Sequence, residues 1–389
     1  MANTAVGGKA ASTKQMGSGM AVLILLIGTA CLAFSGIWVK GSNFEPATSV
    51  VLRCWIPLII FLPFFIWEGK RKGFIPGKAF FWAALAGFIL GIDFTAWNFA
   101  IFYVGAGIAS VLLNMQVIIL PVLAFLIDKE RIVKSYWIVL PIMIVGIALV
   151  GGVLDDPLGV GPLFGAGSGD DALAMGPTEL AGMPVALLGT LLGCVSGVCY
   201  GLYLYSSRKS TLVAKTHLGG NMLFFQPIAV VSFFQGLPPL IFMLLRGDGF
   251  HLSQGVLVDG NLPADAGGVP TGDMIDGWNW AQMIMLAVLG QFIAWTFVQI
   301  GSVNMEPTIS AGLLLLSPVS TIFIAAAMFS EIPSILQVIG VVMVLGAVAY
   351  QNGLFEFFRG KKPSDHEAVT PHEEVFEPHL VGEEEQQKS

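Results

Sequence analysis

Charged residues, cysteines and histidines are all scarce in this sequence. Only 12% of its 389 residues are charged, and it contains 4 cysteines and 5 histidines. The cysteines lie inside apolar runs and form no Cys-x-x-Cys pair, which argues against a structural disulfide or zinc site. The histidines lie in polar segments, which excludes a histidine proton relay within a membrane. We therefore expect neither a metal nor a cofactor.

Motifs for nucleotide chemistry and hydrolysis are missing too. No Gly-x-x-x-x-Gly-Lys loop is present, so ATP is not the expected energy source. A His-Glu-x-x-His motif and a nucleophile constellation are likewise absent, and the sequence therefore predicts a protein that is not an enzyme. We also expect no nucleic-acid partner.

Apolar residues, by contrast, are abundant. They make up 55% of the chain, which is more than a soluble protein of this length could bury. A membrane-spanning helix needs roughly 20 apolar residues, and runs of that length recur throughout the sequence. The predicted fold is an all-α polytopic membrane protein surrounded by lipid. The ten predicted transmembrane helices cover about 20–39, 46–67, 79–99, 105–127, 133–151, 183–205, 219–245, 278–301, 306–329 and 332–352.

Tails and loops account for the remaining segments. Residues 1–19 are predicted to be a disordered cytoplasmic tail, and residues 353–389 an acidic cytoplasmic tail without a fold. Residues 152–182 and 246–277 are long Gly- and Asp-rich connections that need not enter the bilayer.

The positive charges in short connections predict the orientation. Most lysines and arginines fall on one side of the predicted topology, whereas the opposite side receives only Lys40 and Arg246. By the positive-inside rule, both termini are cytoplasmic and both long loops are external. The basic clusters that carry this prediction lie at residues 9–14, 70–78, 129–134, 208–215 and 359–362.

Two segments, 105–130 and 306–331, align without a gap at an offset of 201 residues, so that Gln116 falls on Ser317. Earlier helices align at a different offset, and the loop 246–277 accounts for the difference. The chain is therefore predicted to consist of two five-helix repeats.

An odd number of helices per repeat predicts an inverted arrangement. With residues 20–151 and 183–352 as the two repeats, the second repeat must cross the membrane in the opposite sense from the first. Such inverted repeats are typical of secondary transporters, whose binding site lies near the bilayer midplane.

The repeats resemble those of the drug/metabolite transporter superfamily, in its EamA-type bacterial branch. The matching residues are Leu52-Arg53 in the second helix, Ser317-Pro318 in the ninth helix, and Glu130 and Glu331 at the turns that follow. Lys129 and Ser330 stand where the family has glycine. The resemblance covers residues 20–352 and implies a carrier of small solutes in the inner membrane of a bacterium. It leaves the substrate open.

Arg53 and Asp93 are the ionisable residues that lie deep within predicted spans. With a rise of about 1.5 Å per residue, both lie roughly 10 Å inside the external surface. Because an unpaired charge in a membrane is costly, we predict a contact between them, direct or through water. Two interpretations stay open: a charge pair that substrate or a proton breaks and remakes, or a permanent structural ion pair.

Asp93 and Trp97 lie four residues apart and share one helix face. An acid beside an aromatic ring suits a cationic or zwitterionic solute. Trp97 is equally suited to anchor its helix at the membrane interface.

Amides and hydroxyls provide the other candidate site residues. Gln116 and Ser317 are expected near the midplane and are favoured over Asn114, with an interhelical hydrogen bond as the alternative for each. On the eighth helix, Gln291 and Trp295 share a face and are predicted to be the second repeat's contribution.

The predicted function is secondary active transport of a small polar or amphipathic organic solute, such as a metabolite, an amino-acid-like compound or a drug-like compound. Alternating access would be driven by the solute's own gradient or by protons, with Asp93 as the coupling residue. Arg53, Asp93 and Trp97 would form a gate at the external mouth, and Gln116 and Ser317 the site behind it. An uncoupled facilitator or channel is the alternative, although a single Arg/Asp pair suits a pore poorly.

A strict four-residue glycine stripe marks the sixth helix. Small residues at this spacing allow close helix packing, within the fold or at a dimer face, so a monomer and a homodimer both stay open. The stripe consists of Gly189, Gly193, Gly197 and Gly201.

Overall fold

A computed structural model describes residues 18–129, 136–150, 179–180, 183–220, 223–245, 275–303, 307–351 and 354. Within these ranges the protein is built from helices, with one antiparallel pair of two-residue strands. The helices are α1 (Ser18–Ser42), α2 (Pro46–Trp55), α3 (Leu58–Lys72), α4 (Gly77–Val104), α5 (Ala106–Leu112), α6 (Gln116–Asp128), α7 (Tyr136–Val150), α8 (Val185–His217), α9 (Phe225–Gln235), α10 (Leu237–Leu245), α11 (Gly277–Met285), α12 (Ala294–Val303), α13 (Pro307–Leu314), α14 (Leu316–Phe329) and α15 (Ile335–Gln351). The strands are β1 (Glu179–Leu180) and β2 (Met183–Pro184).

Seven helical stretches are long and apolar enough to cross a membrane. They coincide with the first, second, third, sixth, seventh, eighth and ninth predicted spans. Three shorter apolar helices, Ala106–Ile119, Tyr136–Val150 and Ile335–Gln351, lie where the fourth, fifth and tenth spans are predicted. An all-helical, multi-pass membrane protein is therefore present, and the count of ten spans stays a prediction.

Helix α8 extends well beyond the predicted sixth span. The sixth span was expected to end near residue 205, but α8 continues to His217. Arg208, Lys209 and Lys215 therefore lie within this helix and not in a loop, and Lys215 lies in its last turn, where a basic side chain interacts favourably with the helix dipole.

Several predictions concern parts of the chain outside the described residues. These parts include the N-terminal tail up to residue 17, the C-terminal tail beyond residue 354, and most of the two long connections. Glu130, one of the paired glutamates of the repeats, also lies outside the described residues.

Long apolar helices are interrupted at positions with a chemical cause. Between α13 and α14, Pro318 has no N–H to donate to the carbonyl of Leu314, and the helix breaks at Leu315. Between α5 and α6, a 3₁₀ turn spans Leu113–Met115. There the Asn114 amide donates to the carbonyls of two preceding residues of its own helix, which competes with the regular backbone pattern. The two breaks coincide at the 201-residue offset of the sequence repeat.

Helix packing brings early and late parts of the chain together. Helix α4 lies along α8, and α1 lies along α11, α12 and the π-helical turn Leu286–Ile293 between them. Helix α7 packs on α15, α5 on α14, and the α2–α3 pair on the α9–α10 pair. In addition, α8 contacts α5 and α6, while α1 contacts α13 and α14.

The glycine stripe of α8 faces the first half of the chain. A Cβ atom at Gly197 would lie 3.0 Å from the carbonyl oxygen of Leu112 and 3.2 Å from that of Leu113. A Cβ atom at Gly201 would lie 3.0 Å from the Cβ atom of Ile119. The stripe therefore allows α8 to pack closely against α5 and α6 within the chain.

Replacing Gly197 with valine is expected to destabilise the protein by about 1–3 kcal/mol, because the added atoms meet backbone that cannot move aside. Thermal unfolding of the purified protein in detergent measures this effect. Gly346→Val is the matched control, since a Cβ atom at Gly346 meets nothing within 4 Å among the described residues. Equal losses in both variants would contradict the packing role.

Candidate functional site

A cavity of about 300 Å³ lies between the helices of the two halves of the chain. Seven of the eight site residues predicted from the sequence line this cavity, and Gln291 is the exception. The polar, charged and aromatic lining residues are Ser35, Arg53, Asp93, Phe94, Trp97, Ser110, Asn114, Gln116, Tyr200, Trp295, Ser317 and Gln351.

Arg53 on α2 is the largest fully buried side chain, with 1% of its surface exposed. Its Nη2 donates a hydrogen bond to the Ser35 hydroxyl at 3.0 Å. The guanidinium carbon lies 4.3 Å from the ring centre of Phe94 and 5.7 Å from that of Trp97. The Nε and Nη1 atoms have no hydrogen-bond partner among the described residues. Aromatic faces and one hydroxyl thus hold this cation in place and leave two of its nitrogens without a bond.

Asp93 on α4 is completely buried. Its Oδ1 accepts a short hydrogen bond from the Ser196 hydroxyl on α8. Within the described ranges, Oδ2 has no hydrogen-bond partner. Ser196 therefore fixes one oxygen of the carboxyl group and leaves the other free.

Of the two predicted forms of contact between Arg53 and Asp93, the direct one is not formed in the described part of the chain, and a contact through water stays a prediction. In the part of the chain that the structure describes, ion pairs join Lys40 to Glu331 and Lys72 to Glu68, and neither includes these two residues. A permanent, directly bonded ion pair is therefore wrong: Ser35, Phe94 and Trp97 contact the Arg53 side chain. The Asp93 carboxyl group instead accepts a hydrogen bond from Ser196. Both side chains still line the same cavity.

Aromatic side chains surround the two charges. Trp97 is only 7% exposed, so its interpretation as an interfacial anchor is wrong. Trp295 packs against Phe94, with ring centres 6.4 Å apart, and against Tyr200 at 6.3 Å. The indole nitrogens of Trp97 and Trp295 are buried without a partner among the described residues, and both rings line the cavity.

Gln116, Ser317 and Asn114 line the same cavity as the charges. One continuous cavity thus contains the residues predicted for the external gate and those predicted for the midplane site, and their separation by depth stays a prediction. Asn114 bonds to carbonyls of Ser110 and Val111 in its own helix, whereas Oε1 of Gln116 has no partner in the described part of the chain. The break between α5 and α6 turns this region of backbone and side chain towards the cavity.

Gln291 lies elsewhere. It is 3% exposed and sits in the π-helical turn, where its amide nitrogen donates to Oε1 of Gln235 at 3.1 Å. Gln291 thus links α9 to the eighth predicted span, and the helical spacing used in the sequence argument does not hold there.

Sequence reasoning missed Ser196, Tyr200 and Gln351. Ser196 precedes a glycine of the stripe, and Tyr200 lies four residues further along the same helix, so their spacing was an available signal. Gln351 lies at the end of the last predicted span, where polar residues are ordinary, and it carried no signal. Its Oε1 is buried without a partner among the described residues.

A carboxylate joins three elements at one end of the molecule. Glu331, which follows α14, pairs with Lys40 at the end of α1. Its Oε2 accepts a hydrogen bond of 3.0 Å from the N–H of Ala106, the first residue of α5. The preceding Gly105 has a φ of +88°, which favours glycine, and a Cβ atom there would lie 2.7 Å from Oε2.

A second carboxylate forms a similar link elsewhere in the fold. Glu68 on α3 is 1% exposed and accepts three backbone hydrogen bonds of 2.9–3.0 Å at the start of α9. Lys72 donates to it at 3.2 Å. The amide of Gln226 adds bonds to Gly73 and Ile75, both at 2.9 Å. Each carboxylate thus connects the first half of the chain to the second.

Comparison with known proteins gives one clear result. The model of the EamA-like transporter family matches residues 19–152 and 266–352, more than half of the chain. No curated protein matches the sequence. One solved structure, a crystal structure of a protein, is 15% identical over 88% of this chain and 99% of its own, with a TM-score of 0.47. That likeness is too low to support an argument.

Proposed function

The chain belongs to the EamA-like transporter family, part of the drug/metabolite transporter superfamily, and from this premise we propose that it is a secondary carrier of small polar or amphipathic organic solutes. The carrier works by alternating access between two inverted repeats of five helices. It lies in the inner membrane of a bacterium with both termini cytoplasmic. Proteins of this family are transporters and not enzymes.

The observation that carries the proposal is the polar cavity between the two halves. Helices α1, α2, α4, α5 and α6 line it from one side, and α8, α12, α13, α14 and α15 from the other. A site at such an interface becomes accessible to one side of the membrane and then to the other when the halves rock against each other. Buried polar atoms without partners supply groups that a solute can satisfy.

The packing pattern supports the repeat relationship. If each helix of one half is exchanged for its equivalent in the other half, one set of contacts becomes another. The contact of α4 with α8 becomes the contact of α11 and α12 with α1, and both contacts are present. The contacts of α7 with α15, α5 with α14, and α2–α3 with α9–α10 map onto themselves. This exchange is what a two-fold axis relating the repeats requires.

Proton coupling is proposed at Asp93. It is the buried carboxyl group of the cavity, and its free Oδ2 can take up a proton or contact the solute. The solute's own gradient is the alternative driving force.

Counter-flow into proteoliposomes tests the function. A panel of radiolabelled metabolites, each preloaded unlabelled at high concentration, is expected to include compounds that show transient overshoot of label, which a carrier produces and a pore does not. The same panel is run with and without a pH gradient. Empty liposomes and liposomes containing Gly346→Val serve as controls.

An uncoupled channel is the competing function. It predicts a flux that rises linearly with solute concentration and shows no overshoot. A conductance that survives saturating solute would replace the carrier proposal with the channel.

A further inference from the structure

The bonding state of Arg53 identifies a property of the solute. A fully buried guanidinium normally meets a carboxylate that offsets its desolvation. Here one hydroxyl and two aromatic faces contact it, while Nε and Nη1 have no hydrogen-bond partner within the described ranges. These donors belong to a side chain that lines the cavity. We propose that Arg53 binds a carboxylate group of the transported solute. Asp93, either ionised or protonated, then makes the total charge of the occupied cavity zero.

Charge matching favours a carboxylate over a phosphate. Among the described residues that line the cavity, Arg53 is the one cation. It compensates a single negative charge, whereas a phosphate monoester carries nearly two at neutral pH. The site therefore selects solutes with one carboxylate.

Asp93 makes the proton requirement depend on the solute. When the solute carries an ammonium group as well as a carboxylate, the ionised Asp93 pairs with the ammonium and the occupied cavity stays neutral. When the solute is a simple carboxylate, the cavity is neutral only if a proton from the surrounding buffer adds to Asp93. Burial makes an uncompensated charge costly, so these two bound states differ by one proton. This inference rests on the proposed carrier function.

Among the described residues that line the cavity, Asp93 is the one carboxyl group. The titratable groups that interact with it electrostatically are Arg53 on α2 and Cys199, Tyr200 and Tyr203 on α8. The described segments of α5, α9 and α10 that pack near α4 carry no titratable side chains. On α1, Lys40 is already held by Glu331. The single exchangeable proton is therefore assigned to Asp93.

Calorimetry of the purified protein in lipid nanodiscs tests the inference. The probes are leucine, 4-methylpentanoate, which lacks the amino group, and 3-methylbutylamine, which lacks the carboxyl group. Titrations in two buffers with different ionisation enthalpies give the number of protons bound with each probe. We expect both carboxylates to bind more tightly than the amine. We also expect 4-methylpentanoate to bind with about one more proton than leucine.

Two variants assign these effects to residues. Arg53→Gln is expected to weaken both carboxylates about tenfold or more, and Arg53→Lys, which keeps the charge, to recover part of that loss. Asp93→Asn is expected to keep the binding of 4-methylpentanoate and to abolish the one-proton difference. Circular dichroism and size-exclusion chromatography check that each variant is folded.

Three results would overturn the inference: no measurable binding of either carboxylate, unchanged carboxylate affinity in both Arg53 variants, or equal proton uptake with leucine and 4-methylpentanoate. Proposed function and inference fail in distinguishable ways. If the binding pattern holds but counter-flow is absent, the carrier function fails alone. If counter-flow occurs but each Arg53 variant changes the affinities for the carboxylates and for the amine equally, the carboxylate site fails alone.

Discussion

Replacing Asp93 with asparagine is expected to abolish the proton-driven accumulation of a carboxylate that lacks an amino group, while leaving the exchange of that solute intact. Asparagine keeps the size of the side chain and an oxygen that accepts from Ser196, but it cannot take up a proton. Without coupling, the carrier only equilibrates its solute, so the accumulation ratio falls to about 1. Uptake into proteoliposomes under an imposed pH gradient measures the ratio, and counter-flow measures exchange in the same preparation.

Asp276→Asn provides the matched control for this change. Asp276 caps the start of α11 and lies outside the cavity lining. Asparagine is also a good helix cap, so this variant should accumulate solute normally. Full proton-driven uptake by Asp93→Asn would disprove coupling at this residue.

Weakening the two carboxylate links is expected to expose the cavity to opposite sides of the membrane. Glu331→Gln loses the ion pair with Lys40, and Glu68→Gln weakens the charge-assisted bonds at the start of α9. Each link joins the two halves, and each must break in one phase of alternating access. A loss of about 1 kcal/mol shifts the balance of conformations about fivefold.

Labelling of a cysteine introduced at Gln116 measures this shift, in a background that lacks the four natural cysteines. A membrane-impermeant maleimide is applied from outside or inside. Glu331→Gln is expected to raise labelling from outside, and Glu68→Gln labelling from inside. Increased labelling from the same side in both variants, or unchanged labelling in both, would contradict a mechanism in which the two links close opposite ends of the cavity. Asp276→Asn again serves as the control, since it touches neither link.

Several features of the fold could be predicted from local sequence. Hydrophobic runs locate the helices, because each spanning segment must be apolar along its own length. The 201-residue offset places Gln116 opposite Ser317, and the helix breaks at Asn114 and Leu315 fall at the same offset. Ionisable and amide residues within apolar sequence identified Arg53, Asp93, Asn114 and Gln116 of the cavity lining, because lipid cannot satisfy them and they must face protein or a cavity.

Partner choice could not be predicted in the same way. Arg53 and Asp93 lie at similar predicted depth, which suggested a contact, direct or through water, yet the groups that contact Arg53 directly are Ser35, Phe94 and Trp97. Depth along a helix specifies height in the membrane but leaves rotation about the helix axis open. Hydrogen-bond partners from distant segments settle that rotation.

The amino-acid sequence by itself determined the membrane location, the position of the helices and the transporter family, because these follow from hydropathy and from motifs within single segments. Only the tertiary structure decided that the residues predicted for the gate and for the site line one cavity. It also decided that Gln291 bonds to Gln235 outside this cavity, and that Ser196 and Gln351 lie beside it. A π-helical turn and the packing of α4 on α8 produced these results. Such contacts depend on helix rotation and on residues far apart in the sequence, 56 positions for Gln235 and Gln291 and 103 for Asp93 and Ser196, which no local pattern records.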